Sequence, residues 1–152
     1  MYSESLKIPK YPIIKQIPEV YDNIVLIGDI HGSYEQLIQL YKYLPQGHNA
    51  VVPLGDLVDR GPFSSEVVRF FAKDKDTYCL SGNHDEKHVR YENHKLNGTE
   101  RQMKVKDDFL ETHKQLLPED LAFLASCPQG YTWRNFLFIH AGILPAYGIR
   151  QN

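Results

Sequence analysis

The chain has 152 residues, 42% of them apolar and 24% charged, with ten Tyr, seven Phe and one Trp. This is one ordinary domain with enough apolar material to build a core, which excludes general disorder and a second independent core. Seventeen Lys and Arg against nineteen Asp and Glu give a formal charge of −2, so no bulk attraction to nucleic acid or membrane is expected.

Residues 1–22 read as an extended arm lying on the domain surface, because Pro9, Pro12 and Pro18 exclude a stable helix. Lys7, Lys10 and Lys15 also break any secretory apolar stretch. No run approaches the roughly 18 apolar residues needed to span a bilayer. Cys79 and Cys127 form no CxxC pair and stand beside apolar residues. They read as small core hydrophobes in a reducing compartment, with the cytoplasm as the default location.

Residues 23–152 form the folded domain in this reading. Ile24-Val25-Leu26-Ile27 is a short apolar run ended by Gly28-Asp29, as expected of a strand buried on both faces. Ser33 with Gln36 has the pattern of a capping box, and Leu37, Leu40, Tyr41 and Leu44 follow at helical spacing. Ala50 to Leu54 is a second buried strand, again followed by Gly-Asp. Pro62 and Ser64 open a second helix with Val67, Phe70 and Phe71 on one face. Thr77 to Leu80 reads as a third strand. The alternation predicts an α/β fold with a mainly parallel sheet. Residues 84–126 read as largely helical, with a break at Asn97-Gly98 and a restart at Pro118 that turns Leu117, Leu121 and Leu124 inward. Tyr131-Thr132-Trp133 and Phe136 to Ile139 read as a hairpin around Arg134-Asn135.

Four apolar runs end in polar clusters: GDIHG from Gly28, GDLVDRG from Gly55, GNHD from Gly82 and HAG from His140. In open α/β sheets ligands collect at the carboxyl ends of the strands. Asp29, His31, Asp56, Asn83 and His140 are therefore expected to converge. Carboxylate, amide and imidazole donors without thiolate suit Mn²⁺, Fe or Zn²⁺, and this many donors suit two ions sharing a bridging carboxylate. Such a pair can clamp a phosphoryl group and activate water near neutral pH.

These four motifs, in this order, resemble the calcineurin-like metallophosphoesterase superfamily, in the branch holding phosphoprotein phosphatases and symmetrical diadenosine tetraphosphatases. The resemblance implies a metallophosphoesterase-type sheet with flanking helices, half of a two-sheet α/β sandwich. It implies that Asp29 and His31 bind one ion, Asp56 bridges, and Asn83 and His140 bind the other. His84 would be the general acid, oriented by Asp59, and Arg60 and Asn83 would hold phosphate oxygens. Asp59 is shared with the protein phosphatases; GNHD and RGPFSSEVVRFF are closer to the tetraphosphatases, so phosphorylated protein and nucleotide both stand as substrates. The family takes a further His from a later Gly-His motif, which this sequence lacks after HAG. A chain that stops short of the full domain is therefore expected, and with it the alternative of a phosphatase-like binding module without hydrolysis.

Residues 87–106 hold six basic and two acidic residues. They read either as a solvated helical face or as a basic cap over the site. A nucleic-acid partner has no support beyond this stretch. His88, His94 and His113 are expected to be exposed helix residues. Asp85 is expected to assist His84 or to accept backbone N–H groups.

Overall fold

The computed structural model describes residue 6 and residues 12–142. The expectations for residues 1–5, 7–11 and 143–152 lie outside the described residues.

Two small sheets face each other. One pairs β2 (Asn23–Ile27) with β3 (Asn49–Pro53) in parallel, joined by α1 (Tyr34–Tyr41) in βαβ order. The other runs β1 (Ile14–Gln16), β4 (Gly130–Trp133) and β5 (Phe136–Ile139), parallel between β1 and β4 and antiparallel in the β4–β5 hairpin. Helices α2 (Ser64–Ala72), α3 (Asn83–Leu96), α4 (Asp107–Gln115) and α5 (Pro118–Ser126) complete the chain order.

Strand β3 shows why the layers form. Successive side chains point to opposite faces. Val51 packs with Val67, Val68, Phe71, Leu121 and Leu124 in a core under the helices. Ala50 and Val52 pack on the other face with Ile17, Tyr21, Leu80, Tyr131 and Trp133, in a second core between the sheets. The α/β architecture, the helical stretch and the hairpin follow the sequence pattern.

Several expectations are corrected. The segment that reads as a surface arm contributes β1 and buries Ile17 completely, a burial that stabilises by about 1.5–3 kcal/mol. The pattern of isolated apolar positions between prolines is too short to show a periodicity. Strand β2 is not buried on both faces: Leu26 is exposed. The third strand shrinks to one parallel bridge, Val51 with Thr77, although Tyr78 N–H and Leu80 N–H still donate to Val51 and Pro53 carbonyls. Ser33 precedes α1 but makes no side-chain cap. Leu40 and Leu117 are exposed, while Leu37, Leu121 and Leu124 are buried as expected. α3 ends where Gly98 takes φ +67° and its N–H returns to the Lys95 carbonyl, the turn expected at Asn97-Gly98. Among the described residues no helix is long and apolar enough to cross a membrane.

Candidate metal centre

The loops after β2 and β3 are laced together by their backbones. Ile30 and His31 N–H groups both donate to the Asp56 carbonyl (3.1 and 2.9 Å), Gly32 N–H to Leu57, and Gly61 N–H back to His31 (2.8 Å). This lacing bends the chain hard. His31, Asp56, Asp59 and Arg60 all take positive φ (47°, 53°, 69° and 67°), a conformation costing a non-glycine residue about 1–3 kcal/mol. Of the non-glycine residues described with positive φ, only Arg134, in the hairpin turn, lies elsewhere. The two loops also need glycine where they touch. A side chain at Gly61 would strike the His31 carbonyl, and one at Gly82 would strike the Asp56 amide and carboxylate.

Asp85 joins these loops to α3. Buried and 1% exposed, it accepts Leu57 N–H and Gly82 N–H through its two oxygens, each at 2.9 Å. Burial raises its pKa, against the two N–H bonds that lower it. Of the two roles expected for Asp85, the structure shows backbone acceptance. His84 N–H at the start of α3 donates to Asp56 Oδ1 (3.0 Å), so the carboxylate sits on the positive end of the helix.

Asp56 is the centre of the cluster. Its Oδ2 lies 3.7 Å from His31 Nε2 and its Oδ1 3.5 Å from His140 Nε2. Asp29 Oδ2, on an exposed side chain, lies 3.8 Å from His31 Nε2, and Asn83 Oδ1 lies 3.0 Å from His140 Nε2. Two groups therefore share Asp56: Asp29, Asp56 and His140, and His31, Asp56 and His84, each with candidate ligand atoms within 4.8 Å.

The ring orientations bear on whether a cation fits here. His31 Nδ1 lies 2.8 Å from the Val58 carbonyl and His140 Nδ1 2.6 Å from the Leu54 carbonyl. A carbonyl only accepts, so each Nδ1 donates, which leaves each Nε2 turned into the cluster as the atom that can offer a lone pair to a cation. His31 Nε2 is buried with no hydrogen-bond partner. His140 Nε2 faces two acceptors, Asn83 Oδ1 and Asp56 Oδ1. Lone pairs turned on one another in a half-buried site are satisfied by a cation, so the donor set fits divalent metal.

Behind this cluster, His84 Nδ1 meets Asp59 Oδ2 at 2.7 Å, with the His84 and His31 rings edge to face. The other Asp59 oxygen meets His88 Nε2 at 2.8 Å, and Ser64 Oγ accepts Asp59 N–H. Burial pushes the Asp59 carboxyl up, but the bonds and charges of His88 and His84 outweigh it and hold the pKa below the ordinary value. The site thus brings together Asp29, His31, Asp56, Asn83, His84 and His140, with Asp59 one bond behind. Arg60 stands exposed on the same loop.

The expectation of exposed helix histidines is corrected. His88 is 0% and His113 is 7% exposed. They are buried because Phe109 of α4 stacks on His88 (4.1 Å between centroids) and Tyr91 closes over His113 (4.8 Å). The available signal was the i, i+4 spacing of His84 and His88, which puts both on one helix face. Lys87, within the basic stretch, lies over the Phe109 ring, and Lys95 pairs with Glu92.

The chain is similar to several known proteins. A symmetrical bis(5'-nucleosyl)-tetraphosphatase of Vibrio parahaemolyticus is 32% identical over 127 residues, 82% of this chain and 46% of its own. The asymmetrical PrpE enzyme of Halalkalibacterium halodurans is 40% identical over 80 residues, 43% of this chain and 32% of its own. A solved structure assigned as a diadenosine tetraphosphatase superposes with a TM-score of 0.65 at 26% identity, covering 91% of this chain and 59% of that one. The chain thus spans about a third to a half of the length of these curated relatives. Residues 23–151 match the family described as calcineurin-like phosphoesterase, and the chain belongs to that family.

Proposed function

We propose that this site hydrolyses phosphate esters or phosphoanhydrides with two divalent cations, and that Asp29 and His31 hold one, Asn83 and His140 the other, and Asp56 both. The observation carrying this reading is the division of the Asp56 carboxylate, one oxygen toward each histidine Nε2 (3.7 and 3.5 Å). Bound there, the cations supply water activation and charge neutralisation near neutral pH. Mn²⁺ suits the oxygen and nitrogen donors, as do Fe and Zn²⁺.

The chain's own residues do the rest. Asp59 Oδ2 accepts the Nδ1–H of His84 and fixes its ring, so that the protonated ring presents Nε2–H to a leaving oxygen. Asp59 also stabilises that imidazolium electrostatically. Arg60, exposed on the loop that carries Asp56 and Asp59, would hold equatorial phosphate oxygens through its planar fork. Dinucleoside polyphosphates are the favoured substrates, because the curated relatives named above act on them by name. A phosphoprotein substrate is the second reading, favoured by the Asp59–His84 contact. Two free, buried cysteines fit a reducing, cytoplasmic location.

Turnover of diadenosine tetraphosphate, a phosphoserine peptide and p-nitrophenyl phosphate with Mn²⁺ tests this reading. The dinucleotide is expected to turn over fastest. Preference for the peptide would select the second reading, and metal-dependent turnover of none would reject hydrolysis.

A further inference from the structure

Beyond the metal cluster, a line of buried polar groups runs from Asp59 to the far side of α3. His88 Nε2 faces Asp59 Oδ1 (2.8 Å), His88 Nδ1 faces His113 Nδ1 (3.1 Å), and His113 Nε2 faces Glu92 Oε2 (2.9 Å). The two rings lie within 3° of parallel. Phe109 stacks on one and Tyr91 packs edge-on against the other, so water has little access. None of these contacts is required by the helix itself, and a buried array of this kind is costly unless every member is satisfied.

Counting protons decides what the array holds. Each of the three contacts needs one hydrogen to be a bond. Two neutral imidazoles carry only two ring hydrogens, and ionised carboxylates carry none. Either one contact sets two bare acceptors against each other in the interior, or the array keeps a third proton.

We infer that His88 and His113 together hold one extra proton between Asp59 and Glu92, forming a buried positioning array that keeps Asp59 charged and aimed at His84. The groups facing this pair are Asp59 from the β3 loop, Glu92, Tyr91 and Lys95 of α3, and Phe109 of α4. Both carboxyls have lowered pKa values in spite of burial, Asp59 through His88 and His84 and Glu92 through His113 and Lys95, which agrees with acceptors that stay ionised. His113 has a lowered pKa, through burial first and through the His88 charge against the pull of Glu92. His88 and His113 are positioning residues. They touch no substrate, and their effect on turnover rests on the hydrolytic reading above, whereas the proton count does not.

The test is a long-range ¹H–¹⁵N spectrum of the ¹⁵N-histidine-labelled chain near pH 7.5, assigned with the His88→Gln and His113→Gln variants. Three ring nitrogens' worth of proton across the two rings, retained to higher pH than in exposed His48, is the expected result. One proton on each ring would overturn the inference, and this readout on the unmutated chain stands even if a variant fails to fold. In turnover, His113→Gln is expected to lower kcat about tenfold with KM within about twofold, and to move the acidic limb of the pH profile. An unchanged kcat and pH profile would overturn the positioning role. Absence of all turnover alongside three ring protons would reject the hydrolytic reading and leave the array standing.

Discussion

The loop 55–61 and helix α3 meet at Asp59, with loop 28–32 laced to the first and α4 packed on the second, and the two sides depart from ordinary folding rules in opposite ways. In the loops the irregularity is in the backbone: His31, Asp56, Asp59 and Arg60 are left-handed without being glycine. In the helices the backbone is regular and the irregularity is polar burial: Asp85, His88 and His113 are all enclosed. The difference teaches how the site is held. Strained turns aim short carboxylates and imidazoles at a common point, and a buried hydrogen-bond framework behind them prevents the turns from relaxing. Asp59 belongs to both, with φ 69° on one side and His88 at 2.8 Å on the other.

Breaking the joint between the two regions has the largest expected effect on stability. Asp85→Asn leaves one of the Leu57 and Gly82 N–H groups facing an amide NH₂ in the interior, so the chain should lose about 2 kcal/mol, within the roughly 1–3 kcal/mol cost of a buried unsatisfied donor. Urea unfolding measures this, and an unchanged midpoint would mean that the loops stand without α3.

Acidification loads the helical side next. Asp59 and Glu92 have lowered pKa values, so their contribution is present above the ordinary carboxylate range and is lost as pH falls through the folded values. His113 is lowered from 6.5, so below that pH the unfolded chain takes up a proton that the folded chain refuses, and stability falls there too. Asp85, raised by burial, has the opposite sign and offsets part of the decline. The His113 part of the fall in thermal midpoint should therefore lie between about pH 7 and pH 5, and the carboxylate part below about pH 5. His113→Phe should remove the part of the drop that begins near 6.5, and an identical profile in that variant would contradict the assignment.

Relief of backbone strain is the smallest and sharpest comparison. Arg60→Gly and Arg134→Gly each replace a left-handed arginine, and each should gain about 0.5 kcal/mol, because the native φ no longer opposes a side chain. Arg134 also loses its place over the Trp133 ring, 4.1 Å away, which trims its gain. Only Arg60→Gly should weaken phosphate-substrate binding, read as a higher KM. Equal losses in both variants would break the distinction between the strained site loops and an ordinary hairpin turn.

Much of this was legible in the residues. The apolar runs gave the βαβ order because β3 is enclosed on both faces, and the glycine-bounded motifs gave the convergence of Asp29, His31, Asp56, Asn83 and His140 because strand ends share one edge. Ile17 was not legible: a short strand that pairs with β4, more than a hundred positions later, leaves no local period. Nor was the His88–His113 array, because imidazoles on a helix carry the same letters whether they face water or a second helix. Phe109, which buries His88, announces a core contact but not what it covers.

The central claim is that Asp56 joins two metal positions, and calorimetric titration of the chain and of Asp56→Asn with Mn²⁺ tests it most directly. Saturable binding to the unaltered chain that is lost, at both positions together, in the variant is the predicted result. Binding that persists in Asp56→Asn at the same stoichiometry and affinity would contradict it.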